Sequence, residues 1–241
     1  MIGAQRDATG ALAPQSWQRR LRARVRTLWV LKMLSTAGGI ALFFYAYFLV
    51  MRHPLGAVTV MPVIWVDELI GFQPLAFPLY AFLWVYISLG TALARNLREL
   101  VAFGLTSLAM SIAGLAFFML LPTRTPDFAI NWASHPSIQF LKRVDVAGNA
   151  CPSLHAAFCV FTAVALNAQL ASLGAARWLR VCNVLICVGI LYSTVATRQH
   201  VALDAIAGVV LGGVASLAYL SAMASPGAET NSKQPSTSGR A

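Results

Sequence analysis

Six apolar runs divide the chain, at approximately residues 33–51, 75–94, 100–121, 153–172, 178–197 and 203–224. Each is close to the ~20 residues that an α-helix needs to cross a hydrocarbon core of ~30 Å. The pattern predicts an all-α, polytopic membrane protein with six transmembrane helices around a helical-bundle core. Ahead of the first run, residues 16–32 place Trp17, Leu21, Val25 and Leu28 among arginines, the pattern of a basic amphipathic helix lying on an anionic membrane surface. Arg19 and Arg20 stand before an apolar run too long for a cleaved signal peptide, so the run reads as an uncleaved first span. The segment VTVMPVIWVDELIGF, within 52–74, is too short to span and too apolar to float free. It is expected to lie at the interface with Trp65 at headgroup level, and its Asp67 and Glu68 read as a solvated turn. Residues 225–241 are rich in Ser, Gly, Thr and Pro and carry no expected structure. The expected organisation is a basic cytoplasmic segment over 1–32, a membrane domain over 33–224 and a disordered cytoplasmic tail over 225–241.

Composition agrees with the pattern. Hydrophobic residues make up 58% of the 241 and charged ones 11%, against about a quarter charged in a soluble domain. The net charge of +10 invites a nucleic-acid reading, but the basic residues fall between and outside the apolar runs rather than in a stripe interleaved with aromatics. No nucleic-acid partner is expected. Thirteen of the 18 Lys and Arg residues fall on one side of a six-span chain, in the N-terminal segment, the turns at Arg95/Arg98 and Arg177/Arg180, and the tail at Lys233/Arg240. Arg52, Arg124, Lys142, Arg143 and Arg198 fall on the other. The positive-inside rule then makes both termini cytoplasmic and turns the loops 52–74, 122–152 and 198–202 away from the cytoplasm. The location this implies is the plasma membrane, the inner membrane of a bacterium. Cys159, Cys182 and Cys187 lie inside apolar runs and Cys151 just before one, with no disulfide framework and no metal-binding spacing.

The chemistry-bearing residues gather on the side poor in arginine. In STVATRQHVALD, read as the start of a helix, His200 and Asp204 are four apart and share a face. A carboxylate that holds one imidazole nitrogen leaves the other free to attack. In GNACPSLHAA, Pro152 is expected just inside the start of the fourth span, with His155 following. A helix start offers free backbone N–H groups to a phosphate, and Ser153 adds a hydroxyl. Arg124 and Arg198 lie on the same side, and arginine suits bidentate capture of phosphate oxygens. Two histidines, a carboxylate, two guanidiniums and a helix N-terminus are thus expected to converge.

These residues resemble the membrane-bound type 2 phosphatidic acid phosphatase superfamily, related in fold to vanadium haloperoxidases, whose motifs read K-x6-R-P, P-S-G-H and S-R-x5-H-x3-D. PSLH at 152–155 matches the second motif closely, and His200 with Asp204 match the end of the third. The chain departs at Phe117, where the first motif has its lysine, at RTP in place of RP, and at Thr194, where the third motif has its arginine. S-T-x-x-T-R-Q-H with N-A-x-P-S-L-H looks like the subgroup that includes inositol phosphorylceramide synthases, and there Arg198 would replace the missing arginine. The resemblance implies a metal-independent reaction without a cofactor on a lipid phosphate. His200 would be the nucleophile, held by Asp204, His155 the acid and base, and Arg124, Ser153 and Arg198 the phosphate-binding groups. Hydrolysis of a lipid phosphate monoester or pyrophosphate is the leading expectation and headgroup transfer the runner-up. Two rivals are a metal site made of His155, His200 and Asp204, and a non-catalytic lipid transporter, with which the Gly208 and Gly212 pair is compatible although such spacing is ordinary helix packing.

Overall fold

The computed structural model describes residues 16–144 and 149–225. Residues 1–15, with Arg6, and 226–241, with Lys233 and Arg240, lie outside the described residues, and with them nearly all of the expected tail. In chain order the elements are α1 (Trp17–Arg26), α2 (Trp29–Arg52), β1 (Thr59–Val60), α3 (Trp65–Ile70), α4 (Phe77–Ala81), α5 (Leu83–Ala92), α6 (Leu97–Leu120), β2 (Thr123–Arg124), α7 (Pro136–Val144), α8 (Leu154–Ser172), α9 (Arg177–Ala196) and α10 (Ala202–Ala224). Among the described residues six helices are long and apolar enough to cross a membrane: α2, Pro74–Ala92, α6, α8, α9 and α10. The protein is an all-α, integral membrane bundle. The second span opens with a 3-10 turn and α4, whose first turns hold Pro74 and Pro78, residues with no N–H to continue an earlier helix, and α4 passes into α5 at Phe82.

α8 is the centre of the bundle: half of its span is buried, against 6% for α2. Its two faces feed two cores. Ala157, Phe161 and Ala165 pack with Phe103, Met110, Phe118 and Tyr219, and Cys159, Ala163 and Leu166 pack with Leu83, Tyr86, Cys187 and Ile190. Lipid tails are as apolar as these side chains, so close backbone approach and interhelical hydrogen bonds must hold the helices together. Gly208 and Gly212 supply the approach: a Cβ on Gly208 would lie 2.1 Å from the Ser153 carbonyl oxygen, and one on Gly212 2.3 Å from that of Ala157. Tyr86 Oη donates to Asn183 Oδ1 at 2.7 Å, Asn183 Nδ2 to the Ala163 carbonyl at 2.8 Å, and Gln169 Nε2 to the Gly90 carbonyl at 2.9 Å.

The end of the bundle away from the start of α8 is tied by charge. Arg24 on α1 donates to the Gln169 carbonyl at 3.1 Å and to Ser172 Oγ at 2.9 Å, at the α8 C-terminus where orphan carbonyls and the helix dipole favour a cation. Lys32 is buried and donates to the Arg24 and Ala92 carbonyls at 2.6 and 3.0 Å. At the opposite end a parallel pair of two-residue strands, Thr59 beside Thr123 and Val60 beside Arg124, joins the loop after α2 to the loop after α6.

Two local expectations are corrected. Asp67 is not in a solvated turn: it is fully buried, while Glu68 is exposed. Its Oδ2 accepts from the Ile64 N–H at 2.9 Å and its Oδ1 from the Ala202 N–H at 2.8 Å, so it caps α3 and α10 together. Pro152 is not the first helical residue. Ser153 is the α8 N-cap, and its hydroxyl accepts from the Ala156 N–H at 3.3 Å, which places Pro152 outside the helix and His155 in its first turn.

Candidate active site

The third-motif residues sit on a tight turn, 197–201, between α9 and α10. The α9 terminus closes with Arg198 N–H to the Val195 carbonyl at 2.9 Å and Gln199 N–H to the Thr194 carbonyl at 3.2 Å. This double closure normally takes glycine at its left-handed position, yet Arg198 stands there with φ of 56°. His200 N–H also donates to the Thr194 carbonyl, at 3.1 Å, so the residue at the missing-arginine position shapes the turn with its backbone. His200 thus precedes α10 rather than starting it, since the N-cap is Val201. The four-residue spacing still serves: Asp204, in the first turn of α10, meets His200 Nδ1 through Oδ2 at 3.1 Å.

The close packing of α10 on α8 brings the second motif to the third. Ser153 N–H donates to the Asp204 carbonyl at 2.9 Å, and His155 Nδ1 lies 3.1 Å from His200 Nε2. His155 Nε2 in turn lies 2.8 Å from the Tyr80 hydroxyl on α4. An ionised carboxylate only accepts, so with both imidazoles neutral the order of donors is fixed along the whole chain. His200 Nδ1–H donates to Asp204, His155 Nδ1–H donates to His200 Nε2, and Tyr80 O–H donates to His155 Nε2. All four ring nitrogens are engaged within this chain rather than converging on a common point, and among the described residues no group of three His, Cys, Asp or Glu could hold a metal ion.

The expected cations separate. Arg198 is buried, stacks its guanidinium 4.6 Å over the Phe128 ring, and leaves Nε and Nη1 without a hydrogen-bond partner. Lys142 on α7 donates to the Arg198 carbonyl at 2.7 Å. Arg124 pairs with Asp127 at 3.0 Å, in a pair open to solvent, and its described contacts do not include either histidine. Phe117 is half exposed on the outer face of α6. Ser153 is buried at the mouth of α8, in contact with α10. Cys151 is half-buried beside the site, where burial and then the Asp204 charge push its thiol up from its ordinary value. It is therefore a poor source of thiolate for attack.

Tyr80 was not singled out by the sequence, and Asp67 was read there only as part of a solvated turn. A tyrosine in an apolar run reads as core, as the neighbouring Tyr86 is, and only the place of Tyr80 near the proline-bearing start of the second span distinguishes it. Asp67 carries no motif at all.

The motif pair, its contact and the six-helix frame meet in one further observation: the family model of the PAP2 superfamily matches residues 95–226, more than half of the chain. The chain belongs to the PAP2 superfamily. PAP2 proteins are phosphatases and phosphotransferases acting on phosphate esters, so this protein is an enzyme of that broad kind. No curated protein and no solved structure matches the chain significantly.

Proposed function

We propose that this PAP2 protein hydrolyses a lipid phosphate monoester or pyrophosphate through a phosphohistidine on His200. The observation that carries the reading is the ordered chain from Asp204 through His200 and His155 to Tyr80, beside a buried guanidinium with two unpartnered donors. Asp204 holds His200 in the tautomer whose Nε2 lone pair faces outward, which is the one a nucleophile needs. His155 faces that nitrogen with a proton.

In the reaction the phosphoryl group enters between the two rings. A direct contact of 3.1 Å leaves no room for it, so substrate replaces the His155–His200 hydrogen bond. His200 Nε2 forms a bond to phosphorus, the bond from phosphorus to the leaving oxygen breaks, and His155 Nδ1–H supplies that oxygen's proton. His155 then takes a proton from water, whose oxygen attacks phosphorus and frees His200. Arg198 and the N–H groups at the α8 N-terminus balance the phosphoryl charge, with Ser153 beside them and Arg124 reaching the site only if its pair with Asp127 opens. The arginine distribution favours a site facing away from the cytoplasm.

The test is purified protein in micelles with a panel of lipid phosphates, with and without acceptor lipids, scored for free phosphate, new lipid and acid-labile phosphoenzyme. Free phosphate without acceptor supports hydrolysis. Product that forms only with acceptor would make the enzyme a headgroup transferase. His200→Ala should lose turnover and phosphoenzyme together, whereas an aryl phosphate, with its good leaving group, should partly rescue His155→Ala. A phosphoenzyme that survives in His200→Ala would overturn the assignment.

A further inference from the structure

Tyr80, His155 and His200 are not at the floor of a shallow cleft; they stand at the mouth of a cavity of about 760 Å³ that runs between α2, α5 and α6. Along α2 the lining extends from Phe48 to Ser35 and along α6 from Phe118 to Gly104, in each case ~20 Å at the helical rise. That is about two-thirds of a hydrocarbon core. The wall is apolar and aromatic, with Phe43, Phe44, Trp84 and Phe158 around the upper part. Its hydroxyls are mostly spent on neighbours: Ser35 donates to the Lys32 carbonyl, Ser111 to the Ser107 carbonyl, and Thr36 meets Thr91 at 2.7 Å.

The cavity exists because α2 is held at its two ends. Lys32 fixes one end to the Arg24 and Ala92 carbonyls, and the Thr36–Thr91 bond ties α2 to α5 just above it. Tyr47 fixes the other end by packing on Phe118 and by accepting from Asn149 Nδ2 at its carbonyl. Between them stand two glycines, Gly39 on α2 and Gly104 on α6, and a Cβ on either would meet nothing within 4 Å. Neither glycine is required by helix packing, unlike Gly208 and Gly212. Both lie in the floor half of the cavity, Gly39 ~13 Å below Phe48.

We infer that this slot takes the hydrocarbon tail of the substrate, and that Gly39 and Gly104 set the length of tail the enzyme accepts, up to ~20 Å. The inference rests on the lipid-phosphate reading and adds where the tail goes. Continuity argues for substrate over a stray bilayer lipid: a phosphate between the histidines leaves its ester oxygen at the cavity mouth, with nowhere else for the tail to run but down the slot or out sideways.

The experiment uses the full chain in phospholipid vesicles, with n-butyl, dodecyl and octadecyl phosphate, and an octadecyl phosphate bearing a diazirine at its tail end. On irradiation the tail should label the slot at 35–40 of α2 and 104–111 of α6, and excess unlabelled octadecyl phosphate should suppress that labelling. In Gly39→Phe and Gly104→Phe the ratio of octadecyl to butyl phosphate turnover should fall tenfold or more, and slot labelling should be lost. Labelling confined to outward-facing α10 positions such as Val210 and Leu217 would overturn the inference, as would an unchanged turnover ratio in both variants. Should the wild-type protein hydrolyse none of the three esters, the lipid-phosphatase reading fails, and the labelling pattern still decides the slot.

Discussion

Replacing Arg198 with glycine should cost activity without costing stability, because the turn is built for one residue and holds the other. Arg198 sits at the left-handed position of the α9 terminus with φ of 56°, where an L side chain costs ~1–2 kcal/mol and glycine nothing. Its removal also relieves two buried donors, Nε and Nη1, that have no partner. Against this stand the larger entropy of glycine in the unfolded chain, ~0.4–1 kcal/mol, and the loss of the stacking on Phe128, ~0.5–1 kcal/mol. The terms nearly cancel before the buried donors are counted, so thermal unfolding in detergent should stay level or rise. Turnover should fall on the order of 10²-fold or more, the scale for one lost charge-stabilising donor. The assay is phosphate release beside a melting curve on the same preparation. A variant that melts earlier and keeps its turnover would refute the reasoning: the guanidinium would then be a structural anchor, and Lys142 or Arg143 would be left to meet the phosphate.

Three further variants probe the elements that position the site. Gly208→Ala puts a Cβ 2.1 Å from the Ser153 carbonyl; reaching even 3.0 Å requires a 0.9 Å shift of α10 on α8. Misplacement of about 1 Å costs up to ~10²-fold in rate, while Gly213→Ala, which meets nothing within 4 Å, should be neutral; equal turnover in the two would remove close packing from the account. Tyr80→Phe deletes the 2.8 Å bond to His155 and should lower turnover of alkyl phosphates roughly 5- to 10-fold, the equivalent of ~1 kcal/mol, with less effect on an aryl phosphate; an unchanged alkyl rate makes Tyr80 mere packing. Asp67→Ala strips the shared cap from Ile64 and Ala202 and should destabilise by ~1–3 kcal/mol, seen as earlier melting; a wild-type melting curve would mean water serves both N–H groups equally well.

What the sequence displayed and what it hid follow from the range of the forces involved. The six spans were legible because ~20 apolar residues leave a chain in hydrocarbon little choice but a helix, and every boundary lies within four residues of the expected run. The His200–Asp204 contact was legible because it is local. Four residues bring the two side chains to 3.1 Å even though His200 stands ahead of the helix rather than inside it. His155 could be placed on the same side by counting spans, but its 3.1 Å approach to His200 depends on Gly208 and Gly212, which in the sequence look like any small-residue pair.

Asp67 shows where such reading stops. An acidic pair in a loop is ordinarily solvated, and nothing near it in the chain says otherwise. What buries it is a backbone N–H 135 residues away, at Ala202, two residues after His200. A backbone donor has no letter in the sequence, so the bond is invisible there, although it ties the loop after α2 to the turn that carries the nucleophile candidate. The same holds for Thr194, which the motif marks as a missing arginine. Its carbonyl, common to every residue type, accepts from both Gln199 and His200 and so fixes the turn. Arg198, which we propose takes the arginine's part, stands within that turn four positions along, in a backbone conformation that favours glycine. A motif that records side chains sees a loss at 194; the backbone bonds show a turn that stays closed while it carries a guanidinium from a different residue.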